Sequence, residues 1–225
     1  CMTEQQKERT FLYHPGANKL LDIKHFKLNK LKKKPKLLYV GYVTLLGKLD
    51  KFKEKETRLN KVLKEAKRKN LINVLDLVSN KDENFQKIVF SALPFTDYLL
   101  LNEIEAQLLF NKKVTNSNNN LEKKLIISLL KKVFKKGLQK AILIHSPKES
   151  LYISKDNIFH TKSIKIPKKQ IKNAVGAGDA FCAGFLYGIH EDWDIQKTLT
   201  KSHAAGTAMM TIDASSGYLP NINKL

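Results

Sequence analysis

Apolar runs of strand length alternate with longer stretches of helical period along most of the chain. The predicted strands cover residues 37–41, 71–78, 96–101 and 141–145. The predicted helices between and after them cover residues 56–70, 82–90, a segment that starts at 102, 121–136, 178–189 and 194–210. Apolar strands joined by helices are typical of βαβ units, in which helices cover both faces of a parallel sheet. The pattern therefore predicts an α/β fold with a mostly parallel central sheet.

Residues 148–166 break this rhythm with shorter, alternating stretches, which favour antiparallel strands at an edge of the sheet. Residues 30–36 form a basic turn around Pro35, and residues 116–120 form an Asn-rich loop. The sequence contains neither an internal repeat nor a linker between domains. We therefore expect one domain over residues 1–225.

Composition narrows the class of protein. The chain has 225 residues, of which 42% are hydrophobic and 28% charged, so it can bury one sizeable core, and fibrous, disordered and disulfide-scaffold classes are excluded. The net charge is +20, but only Arg9, Arg58 and Arg68 are arginine. Specific nucleic-acid recognition relies on the planar guanidinium group, so we expect a solvated lysine coat and no specific nucleic-acid partner. A basic nucleic-acid-binding protein remains a third hypothesis, supported by the charge alone.

Cysteines and apolar runs bear on location. The two cysteines, Cys1 and Cys182, cannot form a disulfide framework, and they fit a reducing compartment. No apolar run approaches the 18 or so residues that cross a bilayer, and the polar stretch 4–9 does not fit a signal peptide. The sequence therefore favours a cytoplasmic protein without a membrane partner.

The segment that carries chemistry is Gly176-Ala177-Gly178-Asp179, at the start of a predicted helix. Its glycines leave the backbone N–H groups bare, and the positive end of the helix points to the same place, so we expect an anion there. Asp179 lies in the first turn, where it can accept a proton from a substrate hydroxyl beside a bound phosphate. The alternative is an ordinary glycine-rich helix start with an acidic residue.

The longer run of residues 175–185, Val-Gly-Ala-Gly-Asp-Ala-Phe-x-Ala-Gly-Phe, resembles the C-terminal signature of the ribokinase-like (PfkB) carbohydrate kinase family. Residues 10–18 look like the family's Pro-Gly-Ala-Asn turn, and residues 100–106 look like its Asn-x-x-Glu element. The resemblance implies a ribokinase-like fold and an ATP-dependent kinase that phosphorylates a hydroxyl of a sugar or nucleoside. Without it, Asn102 and Glu105 are typical of a helix cap and a capping box.

The resemblance also implies roles for particular residues. Asp179 becomes the general base, and the backbone of Gly176, Ala177 and Gly178 becomes the anion hole. Asn102 and Glu105 become supports for Mg²⁺ through its waters. Residues 201–210, which include Lys201 and Ala205, and the turn at 214–221 line the adenine side, and we expect His145 or Ser146 to contact the nucleotide in place of a Thr-x-Gly loop that Pro147 rules out.

The chain departs from the family pattern in two further places. Asn173-Ala174 stands where many members carry Asp-Thr, so a monovalent-cation site is weakened and potassium activation is not expected. The chain opens on Cys1-Met2-Thr3, followed by a strand-like segment, after most of the acceptor-binding part and the small β lid of the family pattern. We therefore expect an N-terminally truncated portion that, expressed alone, is poorly soluble or forms an edge-mediated oligomer, a homodimer included. The sequence leaves the identity of the phosphate acceptor open. A non-catalytic nucleotide-binding remnant is the alternative function.

Other side chains lack a firm assignment. Asp76 ends a predicted strand at the carboxyl edge, where it either faces a ligand or caps a turn. No partner is evident for His14 or His203. We expect a core role for five aromatic residues, and a packing role against the final helix for Trp193. The five aromatic residues are Phe11, Tyr13, Phe85, Phe90 and Phe110.

Overall fold

A computed structural model of the chain describes residues 12–214, 216–217 and 219–224. The strands in chain order are β1 (Leu37–Val43), β2 (Phe52–Lys53), β3 (Glu56–Thr57), β4 (Ile72–Leu77), β5 (Tyr98–Asn102), β6 (Ala141–His145), β7 (Glu149–Ser154) and β8 (Ile158–Lys162). The helices are α1 (Arg58–Arg68), α2 (Phe85–Ala92), α3 (Glu103–Phe110), α4 (Lys123–Lys135), α5 (Ala177–His190) and α6 (Ile195–Met210). Short 3₁₀ turns precede β1.

Six of the strands form one sheet in the order β1-β4-β5-β6-β7-β8. The pairs from β1 to β6 are parallel, whereas β7 and β8 pair antiparallel at the edge. The structure therefore confirms the α/β class, the mostly parallel sheet and the antiparallel edge. The separate β2–β3 hairpin was not predicted, because its strands are too short to produce an alternating pattern.

Two apolar cores lie on opposite faces of the sheet. Leu99 and Leu101 belong to the core that α1, α2, α3 and α4 cover, whereas Leu100, between them, belongs to the core that α5 covers with Phe181 and Phe185. This alternation follows from the two-residue period of a strand. A strand that is apolar at every position is thereby buried on both sides, as the sequence pattern predicts.

Helices α5 and α6 approach each other very closely at glycines. A Cβ atom on Gly184 would lie 2.8 Å from the Cα of Ser202, and one on Gly188 would lie 2.5 Å from the Oγ1 of Thr198. At the other end, a Cβ on Gly206 would lie 3.1 Å from the carbonyl oxygen of Ala177, in the first turn of α5. These contacts fix where α5 begins relative to the sheet, and α5 carries the glycine-rich motif.

Strand β1 ends in an irregular stretch. Its register against β4 shifts between Val40 and Val43, and the backbone is left-handed at Tyr42 (φ 58°) and at Thr44 (φ 88°). Left-handed backbone is unfavourable for β-branched and bulky residues, at a cost of about 1–3 kcal/mol each. The loop that follows is held by Asp50, whose Oδ2 accepts a 2.6 Å hydrogen bond from the N–H of Leu46.

Several single-residue predictions are settled by the structure. Phe85 is buried, and Phe90 and Phe110 pack against the same core, as predicted. The core assignment of Tyr13 is wrong, since its side chain is 54% exposed ahead of the first 3₁₀ turn. Trp193 packs between Tyr187 of α5 and Lys197 of α6, which confirms its place against the final helix.

Both histidines without an evident partner have one. His203 is buried and its Nε2 lies 2.9 Å from the Oγ of Ser150, while the Nδ1 of His14 accepts from the N–H of Gly16 at 3.3 Å. These partners come from tertiary packing and from a local turn, so spacing alone did not reveal them. Of the motif at residues 10–18, the 3₁₀ turn Gly16–Leu20 is described, whereas Phe11 and the predicted strand after Thr3 lie outside the described residues.

The glycine contact between α5 and α6 can be tested with Gly184→Ala. We expect the free energy of unfolding to fall by about 1–2 kcal/mol, because the new methyl group overlaps backbone atoms at Ser202 and this outweighs the higher helix propensity of alanine. Urea unfolding measures the change. Gly178→Ala in the same helix is the matched control, since its Cβ would lie 3.7 Å from His145, an ordinary contact. Equal stability of the two variants would contradict the packing argument.

Candidate active site

The polar candidates gather where the parallel strands end. Asp76 and Leu77 end β4, Asn102 ends β5, and His145 ends β6 directly beside Asn102 in the strand register. The carboxyl ends of parallel strands meet at one edge of a sheet, and ligands of open α/β sheets bind in the crevice outside that edge. The predicted residues Asn102 and His145 are therefore neighbours.

The first turn of α5 presents bare backbone at this edge. Gly176 is the N-cap in a left-handed conformation (φ 82°) that favours glycine, and it has no side chain to cap the helix. A helix leaves its first N–H groups without intrahelical partners, so those of the first turn can bind an anion. Gly178 and Asp179 are exposed, and a Cβ on Gly178 would still clear His145 by 3.7 Å. The start of α5 is therefore open to solvent at the strand edge, and the anion hole there stays a prediction.

Asp179 projects from this first turn and makes a contact that sequence reasoning missed. The hydroxyl of Tyr42 donates to its carboxylate, at 3.2 Å from Oδ1 and 3.3 Å from Oδ2. Burial raises the pKa of Tyr42 to about 12, and the negative charge of Asp179 contributes, so the phenol stays protonated at neutral pH. No sequence signal pointed to Tyr42, because a regular strand would place it on the face of Val40.

Asn102 and Glu105 form a closed hydrogen-bonded unit at the start of α3. The Oδ1 of Asn102 accepts from the N–H groups of Ile104 and Glu105, while the buried carboxylate of Glu105 accepts from the N–H and the Nδ2 of Asn102. Ser79, which follows β4, donates to Oε1 of Glu105 at 3.0 Å. Burial raises the pKa of Glu105 to about 7, and Asp76 adds to the shift. This unit is the capping box expected from the residues, with Ser79 as an unpredicted third member.

Asp76 faces the site and does not cap a turn. Its Oδ2 accepts a 2.7 Å hydrogen bond from the hydroxyl of Tyr39. The buried thiol of Cys182 in α5 also forms a hydrogen bond with the Asp76 carboxyl group. Burial and, to a smaller extent, the charge of Asp179 raise the pKa of Asp76 to about 6, although the hydrogen bond from Tyr39 lowers it. Asp76 therefore lies beneath the first turns of α5. The sequence signal for this position was an aspartate inside an otherwise apolar strand.

The three carboxyl groups act on one another. Asp179 raises the pKa of Asp76, and Asp76 raises the pKa of Glu105, so the groups lie within electrostatic range across the strand ends. Carboxylates that are close together favour either protonation or a bound cation. The bare first turn of α5 thus lies next to a negative patch at the strand ends.

The residues assigned to nucleotide contacts are placed less favourably. The hydroxyl of Ser146 donates to the carbonyl oxygen of Glu149 inside the β6–β7 hairpin, and Ala205 is buried in α6. The ring of His145 stacks on Phe181, and burial lowers the pKa of His145 to about 4, so it is neutral. Lys201 lies on α6, half-buried. Their nucleotide contacts stay predictions, as does the turn at 214–221, part of which lies outside the described residues.

The residues suit a hard cation that is held through water. In the described parts of the chain, no three His, Cys, Asp or Glu side chains are placed to chelate a metal. A carboxylate has about four acceptor positions, of which Glu105 uses three, so one is left for a metal-bound water. The oxygen of Asn173, at the weakened monovalent-cation position, accepts from the N–H of Val175 at 2.9 Å.

Comparison with known proteins decides the family. The model of the pfkB family carbohydrate kinases matches residues 1–221. The chain belongs to this family. An adenosine kinase of Schizosaccharomyces pombe is 27% identical over 137 residues, which is 60% of this chain and 40% of that protein. A 5-dehydro-2-deoxygluconokinase of Geobacillus kaustophilus is 33% identical over 55 residues, 24% of this chain and 16% of that protein.

Solved structures agree on the fold. The apo adenosine kinase of Trypanosoma brucei brucei superposes with a TM-score of 0.68 at 14% identity, over 86% of this chain and 58% of that one. The nucleoside kinase of Burkholderia thailandensis, solved with inosine, superposes with a TM-score of 0.59 at 17% identity, over 85% of this chain and 54% of that one. The ribokinase-like fold is thereby confirmed. The chain spans less than half the length of the curated relatives it matches.

Membrane insertion finds no support in the helices. Throughout residues 12–214 and the short described stretches beyond them, no helix is both long and apolar enough to cross a bilayer.

The buried pair of Tyr39 and Asp76 gives a test of the site's electrostatics. Asp76 contributes stability fully below pH 4, and this contribution is lost as the pH rises through 6, because the folded state favours its protonated form. Tyr39→Phe removes a donor to the charged form, so we expect a loss of about 1.5 kcal/mol at pH 8 and a smaller loss at pH 5. Urea unfolding at both pH values measures it. Tyr187→Phe, at an exposed tyrosine of α5, is the control, and a pH-independent loss for Tyr39→Phe would contradict the assignment.

Proposed function

We propose that this chain carries the phosphate-transfer part of an ATP-dependent kinase that phosphorylates a hydroxyl of a sugar or a nucleoside. The observation that supports this most directly is the exposed Asp179 carboxylate on the bare first turn of α5, at the strand edge that Asn102 and Glu105 share. Family membership supplies the reaction class, and the relatives named above include kinases of nucleosides and of a sugar acid.

In the proposed reaction, Asp179 accepts the proton of the acceptor hydroxyl as the hydroxyl oxygen bonds the γ-phosphorus of ATP. The bond between that phosphorus and the β,γ-bridging oxygen breaks, and ADP leaves with the electron pair. The N–H groups at Gly176, Ala177 and Gly178 lie where they would stabilise the charge on the transferring phosphoryl oxygens. Gly178 and Asp179 are exposed, as a substrate that enters from the carboxyl edge of the sheet requires.

Asn102 and Glu105 would hold the magnesium ion through its waters. A bound Mg²⁺ neutralises phosphate oxygens during transfer. The chain's own contribution is to orient the Glu105 carboxylate by three hydrogen bonds, two to Oε1 from Ser79 and the Asn102 amide and one to Oε2 from the N–H of Asn102. The cytoplasmic location belongs to the proposal on the ground given by the two cysteines of the sequence. The scarcity of arginine among the basic residues is the ground for proposing no specific nucleic-acid partner.

Replacement of the proposed base tests the reaction. In the full-length protein that contains this chain, we expect Asp179→Asn to lower kcat by about 10²–10⁴-fold with little change in KM for ATP, because the general base is lost and nucleotide binding is kept. Coupled ADP release and mass spectrometry of the product measure turnover with sugars and nucleosides. Asp156→Asn, in the exposed turn between β7 and β8, is the matched control. Near-wild-type turnover by Asp179→Asn would show that the base is misassigned.

The magnesium support is tested separately with Asn102→Ser. Serine keeps an N-cap oxygen for α3 but cannot donate to Glu105 and Ser79 as the amide does. We expect the Mg²⁺ concentration for half-maximal activity to rise about tenfold, as is typical of lost outer-shell partners, with the acceptor KM unchanged. Asn84→Ser, at the N-cap of α2, is the control. An unchanged Mg²⁺ requirement would remove Asn102 from this role.

A nucleotide-binding remnant is the second candidate. It is favoured by Asn173 in place of the usual aspartate, and by Pro147, which has no backbone N–H to donate in the loop after β6. It requires ATP binding by calorimetry together with no phosphorylated product from any sugar or nucleoside. Product formation by the wild type that depends on Asp179 would exclude it.

A further inference from the structure

The contact between Tyr42 and Asp179 is the feature that the proposed reaction leaves unexplained. The phenolic oxygen lies almost equally far from the two carboxylate oxygens, at 3.2 and 3.3 Å, and comes from a strand 137 positions earlier in the chain. The tyrosine is 48% exposed and Asp179 is exposed, so the pair lies at the open surface of the candidate site. Because this contact lies outside the apolar core, its main effect is on the Asp179 carboxylate.

The backbone delivers Tyr42 to this place against the ordinary pattern of a strand. Residues two apart share a face, so Val40 and Tyr42 would both face the core under α1 and α2. The register shift after Val40 instead puts Val43 in that core with Val40, and turns Tyr42 towards α5, on the side of Tyr39. Bulges commonly re-aim side chains beside active sites. The left-handed backbone at Tyr42 and Thr44 is the conformational cost of that redirection.

The surroundings leave Tyr42 as the hydroxyl donor to Asp179. Tyr39 of β1 donates its hydrogen bond to Asp76 of β4, and Asp76 itself is an acceptor with a negative charge. From α5 itself, Cys182 bonds Asp76. Each of these three groups interacts electrostatically with Asp179, and none of them supplies it with a hydrogen bond in the described structure. The phenol is thus the side chain that orients this carboxylate.

We propose that Tyr42 is a positioning residue for the proposed kinase reaction, whose hydroxyl holds the Asp179 carboxylate in a fixed orientation at the open strand edge. This inference rests on the proposed function of Asp179. A carboxylate has about four acceptor positions, so the acceptor hydroxyl can bond one oxygen while Tyr42 retains the other. When the substrate binds, the hydroxyl of Tyr42 then donates to one carboxylate oxygen of Asp179 instead of being shared between both.

Tyr42→Phe in the full-length protein tests the proposal, because it removes the hydroxyl and keeps the ring. We expect kcat to fall about tenfold while KM for the acceptor changes little, because the base is present but is no longer held in one orientation. KM for ATP and the melting temperature should be unchanged. Tyr187→Phe is the matched control and should reproduce the wild type in every measurement.

An unchanged kcat, a loss that lies in KM for the acceptor, or a lowered melting temperature would indicate a merely structural role and overturn the proposal. The ¹³C resonance of the Asp179 carboxyl group at neutral pH provides a second readout that needs no turnover. It should shift in Tyr42→Phe relative to the wild type because the hydrogen bond is lost, and coincident resonances would overturn the proposal.

Failure of the proposed function looks different. If the wild type forms no product, or if Asp179→Asn retains activity, the kinase assignment of Asp179 fails whatever the resonance shows. If Asp179→Asn is inactive while Tyr42→Phe matches the wild type in kcat and in the carboxyl resonance, the kinase assignment stands and the role of Tyr42 is refuted.

Discussion

The close approach of α5 to α6 is the contact on which the position of the candidate site depends. Gly184 and Gly188 let the two backbones meet, and Gly206 of α6 abuts the first turn of α5. A side chain at any of these positions would push α5 away, and with it the bare amides and Asp179. The chemistry at the start of the helix is therefore set by steric constraints along its length and by its partner.

The second organising constraint is electrostatic. Asp76 and Glu105 are buried at the strand ends, where desolvation raises their pKa values, and each is compensated by hydroxyl, thiol or amide donors. Donors of this kind make buried carboxyl groups tolerable and fix their orientation. Asp179 differs because it stands in solvent next to a helix N-terminus. Two carboxyl groups at this edge of the sheet are thus buried and held by donors, whereas the third is exposed to solvent.

Much of the fold and part of the site could be predicted from the sequence, for reasons that are local. Strands such as Ala141–His145 show their burial in their composition, and Gly176 shows its backbone requirement directly. Tyr42 could not be predicted, because its direction depends on a bulge in the pairing of β1 with β4. The partners of Asp76 and His203 come from distant elements, and Tyr13 is apolar enough to be mistaken for core. Local pattern reports which residues are buried, and long-range pairing decides what the polar ones touch.

The burial of Cys182 beneath the first turn of α5 has a practical consequence. Cys182 is 2% exposed and its thiol is hydrogen-bonded to Asp76. A thiol reagent in solution therefore needs the start of α5 to move away from the sheet before it can react. The rate of alkylation of this one sulfur atom therefore measures how often the first turn of α5 opens, and a ligand that bound across that turn and the strand ends would slow alkylation in proportion to its occupancy.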